Sequence, residues 1–289
     1  MSHAVSTNPK HCKVFLLGTS ALVCLALAAP VMAADFVITE SDDSTNGKGT
    51  KDGGTAAAIA DTAINGSDTV SLGIALTTTG TNVGIKTNNN DTEAQSNTVT
   101  VTKTGSITTG AGNNAYGIFN DGAYNTTTLS GSITTGGIHA YGIYNEGAFN
   151  TTTVSGSITT GGNYAYGIWN QGDDNKTTVS GSITTGVVGT NAGEDSTGIW
   201  NYGNDNTTTL TSTGVITVNG PKADGIYNSS GDKNITIVHG SIFVNGNGDA
   251  DDYAEGITNY GDDNETTLSG SITTTGNYAM GIWNAGNNN

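Results

Sequence analysis

Hydrophobic and polar residues alternate along most of the chain with a period of two. In the segment 126–134, one face would carry Thr127, Leu129, Gly131 and Ile133, and the other Thr126, Thr128, Ser130, Ser132 and Thr134. Gly and Asn separate these short alternating segments. A period of two indicates β-strands with one buried face, because successive side chains of a strand point to opposite sides.

The alternating segments belong to an internal repeat. The hexapeptide Gly-Ser-Ile-Thr-Thr-Gly begins at Gly105, Gly131, Gly156 and Gly181, with variants at Gly214, Gly240 and Gly270. A second motif, Gly-Ile-x-Asn, contains Ile118, Ile143, Ile168, Ile199, Ile226, Ile257 and Ile282, at spacings of 25, 25, 31, 27, 31 and 25 residues. One unit cannot bury its apolar face alone, whereas stacked units can. The repeat therefore predicts an all-β fold, a parallel β-solenoid (β-helix) of roughly 25-residue coils.

Stacking at a fixed period places equivalent residues in columns. The predicted core columns are the Gly-Ile isoleucines, the set Leu129, Val154, Val179, Leu210, Val238 and Leu268, and the set Ile133, Ile158, Ile183, Ile216, Ile242 and Ile272. Two asparagine columns run from Asn120 to Asn284 and from Asn125 to Asn264, and we expect their amides to bond along the solenoid axis. The alternative is glycosylation, because an Asn-x-Thr sequon begins at Asn125, Asn150, Asn175, Asn206, Asn234 and Asn264.

The chain divides into three predicted regions. Residues 1–33 combine a positive segment, an apolar run and the small-residue ending Val31-Met32-Ala33, which predicts a secretory signal peptide; the alternative is a membrane anchor. Residues 34–67 are expected to form an irregular N-terminal cap with a short helix at 56–63. Residues 68–289 are expected to form the solenoid. The sequence stops inside an Asn-x-Gly-x-x-Asn turn, so we expect the repeats to be truncated at the C-terminus.

The composition argues against several classes of function. The chain has 289 residues and a formal net charge of -16, and all 9 of its Lys+Arg residues are lysine. Without a basic face, nucleic-acid binding is not expected. Both cysteines, Cys12 and Cys24, lie in the predicted signal peptide, so the mature chain is expected to have no disulfide. No other apolar run is long enough to span a bilayer, and no cofactor is expected.

The position after each Gly-Ile pair predicts a ligand-binding surface. We call its aromatic residues the aromatic stripe: Phe119, Tyr144, Trp169, Trp200, Tyr227 and Trp283, with Thr258 between the last two. Because its neighbours Ile118 and Asn120 are expected to point inward, the stripe should point outward, where rings can stack on sugars or on a partner surface. The alternative is a self-stacking ladder that shields the strands. A second column begins Tyr116, Tyr141, Tyr166 and continues as Thr197, Asp224, Glu255 and Met280, too irregular to predict a site.

Other groups of residues give weaker expectations about chemistry. No Ser-His-Asp or His-Cys grouping can be assembled, so no catalytic residues are predicted and the protein is not expected to be an enzyme. Acidic turns at 172–175, 203–206 and 261–264 are interpreted as solvated turns rather than calcium sites, and no metal site is predicted. The longer repeats carry extra residues at 187–195 and 247–253, which are either recognition loops or neutral excursions.

Threonines on the outer strand face allow one further interpretation. Pairs such as Thr126 with Thr128 and Thr207 with Thr209 stack into an array that resembles those of ice-binding solenoids. Lys176 interrupts this array. A solvated face of β-branched residues explains the threonines without ice.

A signal peptide followed by Asn-Ala-Tyr-Gly-Ile-x-Asn and Ser-Gly-Ser-Ile-Thr-Thr-Gly units resembles the passenger domains of Gram-negative autotransporters (type V secretion), over residues 68–289. The resemblance implies a β-helix that is exposed at the cell surface and acts as an adhesin or aggregation factor. The sequence departs from the family pattern because its repeats are not followed by the outer-membrane barrel with which an autotransporter ends.

Together these features predict an exported, surface-exposed passenger that acts in adhesion or self-association. The expected partner is a glycan or protein of a host or neighbouring cell, or a second copy of the chain. The alternative is a structural stalk or spacer without a ligand; a polysaccharide-active enzyme and an ice-binding protein fit less well. Export through the inner membrane would place the protein at the cell surface or outside the cell if a barrel is supplied, and otherwise in the periplasm.

Overall fold

The structure, a computed structural model, describes residues 35–38, 69–88, 93, 96–187, 193–250 and 252–289. The predicted signal peptide, the predicted helix at 56–63 and most of the predicted cap lie outside these residues. Within the range assigned to the cap, a strand at Asp35–Ile38 pairs in parallel with Thr69–Leu72.

Three parallel sheets make up the described part of the chain. Sheet A contains β1 (Asp35–Ile38), β2 (Thr69–Leu72), β5 (Thr98–Val101), β8 (Thr126–Leu129), β11 (Thr151–Val154), β14 (Lys176–Val179), β17 (Thr207–Leu210), β20 (Ile235–Val238) and β23 (Glu265–Leu268). Sheet C contains β3 (Ala75–Thr77), β6 (Ser106–Thr108), β9 (Ser132–Thr135), β12 (Ser157–Thr160), β15 (Ser182–Thr185), β18 (Val215–Val218), β21 (Ser241–Val244) and β24 (Ser271–Thr274). Sheet B contains β4 (Ile85–Asn88), β7 (Ile118–Asp121), β10 (Ile143–Glu146), β13 (Ile168–Gln171), β16 (Ile199–Tyr202), β19 (Ile226–Ser229), β22 (Ala254–Asn259) and β25 (Ala279–Asn284).

From β2 onward the chain visits the sheets in the order A, C, B, so each of these strands pairs with the strand three places along the chain. The register keeps repeat positions together: Ile143 lies opposite Ile118 on one side and Ile168 on the other. The predicted parallel β-solenoid is therefore confirmed. Coils longer than 25 residues keep this register, because their extra residues fall between strands. Where Ile168 pairs with Ile199 they fall between β15 of sheet C and β16 of sheet B.

The predicted core columns lie inside the coils. The Gly-Ile isoleucines from Ile118 to Ile257, the Leu129 column as far as Val238 and the Ile133 column as far as Ile242 have no solvent exposure. In the last coil the same columns are more open, with Leu268 and Ile282 42% and 41% exposed. Burial of apolar area in these columns is the main favourable term for the fold.

The glycine of each Gly-Ile pair is explained by a close approach between sheets. A Cβ on Gly142 would overlap Cγ2 of Ile158 and lie 2.6 Å from the carbonyl oxygen of Gly167. The same contact recurs along the axis, for example between Gly167 and Ile183. Because a Cβ has no room there, only glycine lets the core isoleucine of sheet C pack against the start of sheet B.

We expect Gly142→Ala to destabilise the protein by about 2 kcal/mol, because the added methyl group overpacks a filled core. Denaturant-induced unfolding followed by circular dichroism measures the change. Gly136→Ala is the matched control, since a Cβ at Gly136 meets nothing within 4 Å. Equal stability of the two variants would show that the close approach does not limit the residue at Gly142.

The first asparagine column is a continuous hydrogen-bonded ladder, as predicted. We call it the inner asparagine ladder, and it consists of Asn120, Asn145, Asn170, Asn201, Asn228, Asn259 and Asn284. Each Nδ2 up to Asn259 donates to Oδ1 of the next member at 2.7–2.8 Å. The same Nδ2 also donates to a threonine hydroxyl of sheet A, as from Asn170 to Thr177 at 3.0 Å. These amides are satisfied inside the coil, which removes the cost of burying them.

The second asparagine column lies at the turn and bonds to neighbouring coils, although Nδ2 of Asn206 has no hydrogen-bond partner among the described residues. The backbone N–H of Asn150 donates to Oδ1 of Asn175 at 2.8 Å, and its Nδ2 donates to the carbonyl of Gly147 at 3.0 Å. The six sequon asparagines are at most 2% exposed. A buried side-chain amide is not accessible to a glycosylating enzyme in the folded chain, so the structural interpretation of this column is confirmed.

Candidate functional site

The first half of the aromatic stripe stacks on itself. Phe119 and Tyr144 have parallel rings with centroids 4.8 Å apart, and Tyr144 and Trp169 follow at 4.6 Å. The Tyr116 column forms a second stack beside it, in which Tyr116 and Tyr141, and then Tyr141 and Tyr166, are each 5.0 Å apart. The two stacks meet edge to face, and Nζ of Lys86 lies 5.0 Å from the centroid of the Phe119 ring.

This double stack leaves little aromatic surface for a ligand. Ring faces that lie 4.6–5.0 Å apart are in van der Waals contact, so nothing can be inserted between them. Tyr141, Tyr144 and Tyr166 are buried, and Tyr116, Phe119 and Trp169 are partly buried against them. Through these coils the rings form a self-stacking cluster on the outer face of sheet B.

The double stack ends after Tyr166, where the tyrosine column continues with residues that have no aromatic ring. Thr197, Asp224 and Glu255 follow Tyr166 in that column, and the loss of three rings opens a groove of about 350 Å³. We call it the acidic groove. Its aromatic walls are Tyr166, Trp200, Tyr227, Tyr260 and Trp283, and its carboxyl groups belong to Asp195, Asp224, Asp252 and Glu255.

The structure thus divides the predicted site residues into two groups. Trp200, Tyr227 and Trp283 line the acidic groove, whereas Phe119, Tyr144 and Trp169 belong to the self-stacking cluster. The groove also contains residues that the sequence reasoning did not select, above all Asp224 and Glu255. Their signal was present in the sequence, because they are the positions at which a regular tyrosine column is interrupted.

The walls of the groove are rings that cross one another rather than stack. Trp200 and Tyr227 have centroids 5.4 Å apart and an interplanar angle of 48°. Tyr227 and Tyr260 meet at 86°, and Tyr260 and Trp283 at 68°. The indole N–H of Trp200 donates to the hydroxyl of Ser229, which fixes the ring. Crossed rings turn both faces and edges toward a common space, unlike the parallel rings below them.

Two buried carboxyl groups form the polar side of the groove. Asp224 and Glu255 are 8% and 3% exposed, and their side chains share a hydrogen bond. The backbone N–H of Glu255 also donates to Oδ1 of Asp224 at 2.9 Å. Burial, together with the adjacent Glu255 carboxyl, holds the pKa of Asp224 well above its usual range. Ionisation of one carboxyl group therefore disfavours ionisation of the other, as expected for two adjacent buried acids.

The negative charge of this pair has little compensation. Among the described residues, Oε1 of Glu255 has no hydrogen-bond partner. Lys222 also lines the groove, but its ammonium group pairs with Asp249 at 3.0 Å and contacts Glu194 at 4.0 Å. The pKa of Asp195 and the pKa of Asp252 are both raised, by burial and by the acidic side chains near each of them. The groove is a site of excess negative charge with aromatic walls.

The longer repeats contribute to this groove. Asp195, from the insertion at 187–195, and Asp252, from the insertion at 247–253, both line it. Asp195 and Asp252 each lie between a strand of sheet C and the next strand of sheet B, next to the interrupted tyrosine column. Of the two interpretations left open for the insertions, recognition loops agree with this placement.

Carboxylates of the acidic turns accept hydrogen bonds from the backbone of the next coil. Oδ1 of Asp173 accepts the backbone N–H of Asn204 at 2.7 Å, and Oδ1 of Asp232 accepts that of Asp262 at 2.7 Å. Their carboxylates thus link successive coils along the surface. In the described ranges, no group of three or more His, Cys, Asp or Glu side chains is arranged to hold a metal ion.

Comparison with known proteins finds no matching family model, curated protein or solved structure. Among the described residues, no helix has the length and apolar character needed to cross a membrane.

Proposed function

We propose that this protein is an exported recognition module of the autotransporter-passenger type, which binds a glycan or protein of another cell through the acidic groove. The observation that supports it is the interruption of the tyrosine column. A plain stalk could continue the double aromatic stack through every coil, whereas here Thr197, Asp224 and Glu255 replace three rings and bury two carboxyl groups. Buried carboxyl groups cost stability, so their presence beside an open groove points to binding.

The arrangement of the carboxyl groups favours binding over catalysis. Glycoside hydrolysis uses two carboxyl groups about 5–5.5 Å apart in retaining enzymes and about 6.5–9.5 Å apart in inverting ones. Asp224 and Glu255 instead interact directly, and the backbone N–H of Glu255 donates to Oδ1 of Asp224 at 2.9 Å. A directly interacting pair matches neither arrangement, which supports binding rather than glycoside hydrolysis.

We expect the purified chain to bind at least one component of a glycan and matrix-protein array, and Trp200→Ala to abolish that binding. The reason is that Trp200 supplies one wall of the groove. Surface plasmon resonance against the selected component measures the loss. Tyr202→Ala is the matched control, because Tyr202 lies on the same strand, is 47% exposed and does not line the groove.

Two outcomes would contradict this proposal. One is equal binding by the wild-type chain and Trp200→Ala, which would show that the ligand binds outside the groove. The other is a folded wild-type chain that binds no array component and no second copy of itself, which is the behaviour expected of a stalk.

A further inference from the structure

The acidic groove combines two features that are each unusual on a solenoid surface. Crossed aromatic rings form its walls, with Trp200 and Tyr227 in successive coils and Trp283 two coils further along. Its polar side is the buried pair Asp224 and Glu255, and Lys222, which also lines the groove, pairs with Asp249. A ligand that fits both features must be attracted by ring faces and by negative charge.

Organic cations are the chemical class with that combination of properties. A positive group over the face of Trp or Tyr is attracted by the ring quadrupole, and the attraction grows when the site is shielded from water. A buried carboxylate adds a direct charge interaction. Neutral sugars also stack on aromatic rings, but they do not neutralise the excess charge of Asp195, Asp252 and the Asp224–Glu255 pair.

A metal ion fits the groove less well than an organic cation. Hard cations such as calcium take six to eight oxygen ligands, whereas nearly half of the residues that line this groove are aromatic. In the part of the chain that the structure describes, no cluster of three or more acidic or histidine side chains has a metal-binding arrangement. An alkylated ammonium group needs no such ligand shell, because its methyl groups pack against rings.

The unpartnered oxygen of Glu255 indicates where the positive group of a bound cation would lie. Glu255 is 3% exposed and lines the groove, and its Oε1 has no hydrogen-bond partner among the described residues. The hydroxyl of Thr258 faces the same pair. A cation that entered between Trp200, Tyr227 and Trp283 would approach this oxygen and provide the missing positive charge.

We propose that the acidic groove binds a quaternary or alkylated ammonium group, such as the headgroup of choline, between crossed aromatic walls and the buried Asp224–Glu255 pair. The inference rests on the proposed function, because it names the chemistry recognised at the same groove. A volume of about 350 Å³ is sufficient for a trimethylammonium group and the chain that carries it.

Isothermal titration of the purified chain with choline tests the inference, using as control the neutral isostere in which a quaternary carbon replaces the nitrogen. We expect choline to bind at least about tenfold more tightly than its isostere, because only the cation gains the charge interaction. The two ligands have nearly the same shape, so this comparison needs no variant and does not depend on the folding of one.

Glu255→Gln is expected to weaken choline binding at least about tenfold while its melting temperature stays near that of the wild type, since glutamine can donate to Asp224. Glu265→Gln is the control, because it makes the same charge change on an exposed strand of sheet A.

Choline binding should also release protons and strengthen as the pH rises, because burial and neighbouring acids raise the pKa of Asp224, Glu255, Asp195 and Asp252. Buffers of different ionisation enthalpy measure the proton release.

The outcomes separate this inference from the proposed function. If choline fails to bind the wild-type chain, or binds no better than its isostere, the inference is wrong. If a neutral glycan then binds and Trp200→Ala abolishes its binding, the groove is still the recognition site and the proposed function stands. If neither choline nor any array component binds the folded chain, both proposals are wrong.

Discussion

Replacing Ile158 by aspartate is expected to destabilise the protein by more than about 4 kcal/mol, because an unpaired charge would lie in an apolar column. Ile158 has no solvent exposure and stacks between Ile133 and Ile183 on neighbouring strands of sheet C. Its Cγ2 also fills the space beside Gly142, so no cavity can admit water to the new carboxylate. Denaturant-induced unfolding followed by circular dichroism measures the loss, and hydrogen exchange shows whether it spreads to adjacent coils.

The control for this variant is Thr159→Asp on the same strand. Thr159 follows Ile158 directly but is exposed, because side chains of a strand alternate between its two faces. We expect its effect to stay within about 0.5 kcal/mol, as for other surface substitutions. A similar loss of stability in both variants would mean that the buried column does not determine the fold.

Replacing Asn170 by aspartate is expected to cost about 3 kcal/mol at neutral pH, since it leaves a charge and several groups of the inner asparagine ladder without partners. Nδ2 of Asn170 donates to Oδ1 of Asn201 at 2.8 Å and to the hydroxyl of Thr177 at 3.0 Å. A carboxylate has no N–H group for either bond and would repel the Asn201 oxygen. Thermal and denaturant-induced unfolding measure the change.

The pH dependence of this variant follows from the burial of the new carboxyl group. Burial would raise its pKa in the folded state above the unfolded value of about 3.9. The folded state then binds the proton more tightly, so the penalty is present at neutral pH and shrinks as the pH falls toward that unfolded value. A penalty that grows on acidification would contradict the burial of this position.

A second ladder provides the control for the same chemical change. At the exposed turn, Asp173, Asn204, Asp232, Asp262 and Asn287 occupy equivalent positions. There Oδ1 accepts a backbone N–H from the next coil, a role that aspartate and asparagine perform equally well. Nδ2 of Asn204 also donates to Oδ1 of Asp173, but this bond is exposed and 3.4 Å long. Asn204→Asp loses it and places a second carboxylate beside Asp173 in water, so stability should change by no more than about 1 kcal/mol. The difference from Asn170→Asp isolates the requirement for a buried N–H donor in the inner ladder.

The acidic groove and the aromatic stripe show how a repeat acquires a local site. Each coil repeats the same strands, so stacked rings such as Tyr144 and Trp169 are the default on the face of sheet B. A groove opens where the repeat is broken, as at Asp224 and Glu255. Departures from the repeat thus produce the local differences in shape and charge on this face.

The amino-acid sequence by itself was sufficient to predict the solenoid, its core columns and its asparagine ladders. The reason is that a solenoid contacts itself at a fixed sequence separation, so a period of about 25 residues specifies which residues meet. Period-two alternation then decides which of them face inward, as Ile133 does and Thr134 does not. The repeat thus specifies which strands pair, and the alternation specifies which side chains are buried.

Only the tertiary structure decided where the aromatic stripe is open to a ligand. Its six rings occupy equivalent positions in the sequence, yet Tyr144 is enclosed by stacked neighbours whereas Trp200 lines a groove. The difference depends on a second column and on turn residues such as Asp195 and Asp252, which come from other parts of their coils. A period specifies which residues stack along the axis, but the space between two columns depends on side-chain volumes and ring orientations that no single column contains.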